Sequence, residues 1–135
     1  MIEPRPGIRR FVTSIVGSAI ARGDDAGDIT ARLYGTLANL VGPAGFDVLL
    51  ARSLVLARRD HPLLAAVGTG PGGVLTGLNG GEGPVAVQEA TAAVVCYFVE
   101  LLAVLIGEDL AMHLVRDAWP EAWDTVADPT DEEKE

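Results

Sequence analysis

From Ala90 to Ile106 the chain is apolar at every position except Thr91 and Glu100. A helix that is apolar on all sides must be buried on all sides, in a protein core or in lipid. The run sits inside a longer helical stretch, Pro84 to Ile106. Pro84 suits a first helical turn, where its missing N–H is not needed. Gln88 and Glu89 fall early, where negative charge suits the helix dipole. Each large aliphatic or Phe side chain, once buried, contributes roughly 1.5–3 kcal/mol, so this one helix can supply much of a core.

Length and hydropathy also allow a membrane span. The run lies at the short end of the ~17–25 residues required. Its large apolar residues gain about 0.3–0.6 kcal/mol each on insertion, against roughly 2.5–3.5 for a central acid, so the sum is near neutral. The flanks decide the expectation. They carry Glu82, Glu89, Glu108 and Asp109, and no Lys or Arg occurs between Arg59 and Arg116. Nothing there can anchor to headgroups or set orientation, so a buried core helix is expected and a membrane is not.

Such a helix needs neighbours with narrower stripes, and the chain has them. Ile8, Phe11, Val12, Ile15, Val16, Ala19 and Ile20 form a clean 3.6-residue pattern that Gly23 ends. Its other side holds Arg9, Arg10, Thr13, Gly17 and Ala21; the last three are spaced by four, which allows close approach of another helix, but the face reads as solvated. Asp28 reads as the N-cap of a second helix bearing Ile29, Leu33, Leu37, Leu40 and Val41. A third runs from about Ala44 to Asp60 on Phe46, Leu49, Leu50, Leu54 and Ala57, widened by Val48, Val55 and Leu56, and His61-Pro62 stops it. A single helix from Val85 to Ala118 would be ~51 Å long, whereas a globule of this size is under about 40 Å across. A break at Gly107 is therefore expected, with a last helix carrying Leu110, Leu114, Val115 and Ala118.

These elements define an all-α fold: a small helical bundle of about five helices around a central hydrophobic helix, with a Gly-rich loop. Residues 1–119 form the single helical domain, and residues 120–135 an acidic, disordered C-terminal tail. The charge of −9 is unevenly spread, since the tail holds seven acids and one Lys (−6) and the body twelve acids and nine Arg (−3). No basic stripe with interleaved aromatics exists, so nucleic acid is not an expected partner. The amino terminus, MIEPRPGIRRF, lacks the pattern of a signal peptide, and a cytoplasmic protein is expected.

Several apparent motifs lack the context that would give them chemistry. Gly68-Thr-Gly70-Pro-Gly-Gly73 fits G-x-G-x-x-G, but the dinucleotide fingerprint needs a strand before it and a helix after it. Nine of the seventeen residues from Val67 to Gly83 are Gly or Pro, and the segment reads as a long mobile connection, with a minimal hairpin around Asn79-Gly80 as the other possibility. The DDAGD turn lacks the oxygen-ligand spacing of a calcium loop. His113 lies four residues from both Asp109 and Asp117, a carboxylate–imidazole arrangement that suits a general base. No nucleophile can be assigned to it, because Cys96, the single cysteine, falls in the buried run and reads as a small hydrophobe. A single His without further ligands is also a poor metal site.

No catalytic residue, metal site or cofactor is therefore expected. The leading expectation is a non-catalytic protein-interaction or regulatory module with a protein partner or homo-oligomeric assembly. The alternatives are a bundle binding a small apolar ligand beside Glu100, and an enzyme using His113 and Asp109. Glu100 must be paired if it is buried, and Arg52, then Arg32, are the expected partners. Trp119 and Trp123, the two tryptophans of an aromatic-poor chain, are the candidate contact residues, because Trp is enriched at interface hot spots; in the other reading Trp119 caps the core and Trp123 folds back on it.

Overall fold

The computed structural model describes residues 5–70, 74–77 and 83–120. It is an all-α bundle of five helices among these residues: α1 (Pro6–Ala21), α2 (Ala26–Val41), α3 (Pro43–Arg58), α4 (Pro84–Ile106) and α5 (Glu108–Ala118). A 3-10 turn (Pro62–Ala66) and a hairpin of two short strands, β1 (Gly68–Thr69) and β2 (Leu75–Thr76), lie between α3 and α4.

The central position of α4 follows from its sequence. From Ala90 to Ala103 every residue is buried except Ala93, which is half-buried. α1, α3 and α5 pack along it, and α2 closes the bundle against α3 and α5. By length and composition Val85–Ile106 would suffice to cross a membrane, but in this fold 72% of its apolar window is covered by the other helices. The run leaves the core before its end, since Val104 and Leu105 are each 64% exposed. Phe46 of α3 is at the centre of the few aromatics, 4.9 Å from the Phe98 ring and 5.2 Å, edge-on, from Tyr34.

Two single glycines make the sharp corners. Gly107 separates α4 from α5 and Gly42 separates α2 from α3, with φ of 98° and 83° and ψ near 150°. This region of backbone space is essentially closed to residues with a Cβ. The break expected at Gly107 is therefore present, in a conformation that its residue type permits.

Several local expectations need correction. The N-cap of α2 is Asp25, not Asp28. Asp25 accepts from the Asp28 N–H at 2.8 Å, and Asp28 returns the bond to the Asp25 N–H at 3.0 Å, a reciprocal capping box. On α5 Val115 and Ala118 are buried and Leu114 is partly buried against the core, as expected, but Leu110 is exposed and Ala111 is buried instead. Gly17, expected on a solvated face, meets the start of α4: a Cβ there would lie 3.3 Å from Gln88 Nε2.

The Gly-rich segment is anchored where it is described. β1 and β2 pair antiparallel, Gly68 with Thr76 and Thr69 with Leu75, and the Gly70 N–H donates to the Val74 carbonyl at 2.7 Å. A strand, β2, thus follows the G-x-G-x-x-G letters, rather than a helix. Asn79-Gly80 lies outside the described residues. Leu75 is buried, and its N–H donates to the Thr30 hydroxyl at 3.2 Å. Arg58 holds the approach to the hairpin by donating to the carbonyls of Leu64 (3.0 Å) and Val67 (2.7 Å).

Candidate functional site

Glu100 is buried and paired, as a lone acid on an apolar helix must be, but its partner is Arg5. The Arg5 Nε lies 3.4 Å from Glu100 Oε2, and the Arg5 main-chain N–H donates to Oε1 at 3.2 Å. Arg5 Nη1 continues to Glu108 Oε1 at 2.7 Å. Arg5 is the N-cap of α1, so the carboxylate also sits at the positive end of that helix dipole. The Glu108 hydrogen bond, then the Glu100 charge, hold the Arg5 guanidinium above its usual pKa. Arg52 stands exposed on α3, because the Val48–Val55 side of that helix faces away from the core. Arg32 instead places its guanidinium 5.9 Å from the Trp119 ring centre. Arg5 escaped notice because it precedes Ile8, where the first apolar stripe begins. Arg5 thus ties the start of α1 to Glu100 of α4 and Glu108 of α5.

Trp119 is fully buried, and its Nε1 has no hydrogen-bond partner among the described residues. It continues the buried Ala111, Val115, Ala118 face, and this spacing turns it inward. Trp119 therefore takes the core-capping place of its other reading and is not an exposed contact residue, and Trp123 lies outside the described residues. His113 is 66% exposed on α5, 3.9 Å from Asp117 Oδ2, and Asp109 is exposed beside it.

Two other features stand out. The first is the outer face of α3, where Ala44, Val48, Ala51 and Val55 are all exposed. Val48 is 67% and Val55 52% exposed, and Leu40, just before the Gly42 corner, is 52% exposed.

The second is a half-open cleft of about 340 Å³. Its floor is one face of α4, with Ala92, Ala93, Cys96 and Tyr97. Arg9 and Thr13 of α1 form one wall, and Asp60 with His61, at the end of α3, forms the other; Gln88 and Glu89 close the rim. The Tyr97 hydroxyl donates to Asp60 Oδ2 at 3.2 Å, fixing that carboxylate at the edge. Burial pushes the Cys96 thiol up to about 11, against the smaller opposing pull of the Arg9 charge and a Thr13 hydrogen bond. At neutral pH the sulfur is a thiol, and only the thiolate is a strong nucleophile or metal ligand. Neither Glu100 nor His113 lines this cleft. In the sequence Arg9 read as solvated and His61 as a helix-end residue. The available signal was the polar-to-small spacing Glu89, Ala92/Ala93, Cys96 along one face of α4.

The chain matches no family model, no curated protein and no solved structure.

Proposed function

We propose that this domain is a non-catalytic interaction module that pairs with a second copy of itself through the outer face of α3. The observation that carries this reading is the exposed set Ala44, Val48, Ala51 and Val55. Its spacing of four, three and four places the set on one helical face and is the same read in either direction. When two copies of α3 meet antiparallel about a two-fold axis, Ala44 of one copy faces Val55 of the other, and Val48 faces Ala51. Each large side chain then meets a small one, the condition for close interdigitation. A two-fold interface must be self-complementary in this way. Contiguous apolar surface on one helix face is also what an association site leaves open in an isolated chain.

Sedimentation equilibrium on the full chain tests the reading. The expected result is a monomer–dimer equilibrium that Val48→Glu shifts to monomer, while Val104→Glu, on the exposed end of α4, leaves it unchanged. A wild-type chain that stays monomeric at high micromolar concentration, or a dimer indifferent to Val48→Glu, would overturn it.

A further inference from the structure

We propose that the cleft between α1 and the end of α3 binds a small zwitterion: an ammonium and a carboxylate on a short apolar body, the size of a free amino acid. Its volume of about 340 Å³ falls at the lower end of the range for small-molecule sites. Its charges have both signs but are not paired with one another. Arg9 makes no ion pair or side-chain hydrogen bond among the described residues, and neither does Glu89; Asp60 is engaged through the Tyr97 hydroxyl. Cation and carboxylates therefore face one cleft with a gap between them that a ligand carrying both charges can bridge.

The polarity of the ligand follows from the walls. Arg9 on α1 takes the carboxylate, for which a guanidinium fork is the best-matched donor. Asp60 and Glu89 take the ammonium, which carries three donors and no acceptor. Between them Ala92 and Ala93 offer only methyl groups, and the Cys96 sulfur beneath is uncharged at neutral pH. The floor thus accommodates an apolar body and adds no charge of its own. A ligand with one charge would engage only one wall and lose the charge-assisted hydrogen bonds of the other.

Isothermal titration calorimetry on the full chain tests the proposal, using the free amino acids one at a time at millimolar concentration. Each binder is then compared with the amine lacking its carboxylate and the acid lacking its ammonium; for L-valine these are isobutylamine and isovalerate. At least one amino acid should bind saturably at a single site, and both analogues should bind at least about tenfold more weakly. Arg9→Gln and Glu89→Gln should each weaken binding by about tenfold or more. Both side chains are exposed, so the circular dichroism of these variants should match the wild type. Ala93→Leu, which fills the floor, should abolish the signal. The proposal is overturned if no amino acid binds, if a singly charged analogue binds as well as its parent, or if affinity survives Arg9→Gln. Because the read-out is ligand heat rather than association state, the outcome is independent of pairing through α3.

Discussion

Cys96 shows how the fold sets the chemistry of one atom. Its sulfur lies on the cleft floor, and burial raises the thiol from a usual value near 9 to about 11. The folded chain therefore holds this proton more tightly than the unfolded chain does. Stability from this group is fully present below about pH 9 and is lost as pH rises towards 11, with an expected loss on the order of 2–3 kcal/mol. Tyrosines titrate over the same range, so the comparison must be between variants. Urea unfolding at pH 8 and pH 10.5 should show a steeper fall for the wild type than for Cys96→Ala. Parallel falls would show that the thiol is not held as the structure places it. Glu100 makes the same point about charge. That an acid on this helix must find a cation was legible from the sequence, but which cation depended on where the start of α1 lies along α4.

At the scale of the elements, the corner at Gly107 separates two helices with a single residue, and a Cβ there would meet nothing within 4 Å. Any penalty for Gly107→Ala must then come from the backbone, whose φ of 98° a side chain disfavours. The expected destabilisation is roughly 1–3 kcal/mol, read as a lower urea midpoint with an unchanged m-value. A neutral effect would mean that the corner relaxes freely. This break was legible because a continuous helix would outrun the globule. The stripes of α1 and of the Phe46, Leu50, Leu54 face were legible for a similar reason, since a core requires one apolar face per helix. On α5 only Leu110 was misplaced, because it outranks Ala111 in hydropathy. Close packing on α4 selected the small residue instead. Val48 and Val55 were misread in the same way, as an apolar residue can widen a buried stripe or belong to an exposed one, and spacing alone does not distinguish the two.

For the whole molecule, the cleft was beyond the reach of the sequence. Arg9, His61 and Cys96 belong to three separate segments, and only the joint placement of α1 and α3 along α4 brings them together. The same long-range dependence implies a hierarchy of stability. The amides of Val94 to Leu102 lie in the middle of α4, buried by several helices at once, and can be exposed only by global unfolding. The hairpin is different: its strands are two residues long, and the Leu75 N–H donates to the Thr30 hydroxyl, tying β2 to α2. Native-state hydrogen exchange should therefore show the slowest amides in α4, at the global free energy, and a separate, lower-energy opening for Gly70 and Leu75. Thr30→Val keeps the shape of the side chain but removes the acceptor, leaving the Leu75 N–H buried without a partner. It should lower the opening energy of the hairpin by about 1–3 kcal/mol, with the order of exchange within α4 retained. If Leu75 instead exchanges together with α4 in both proteins, the hairpin is part of the cooperative core, and the Thr30 bond is not what secures it.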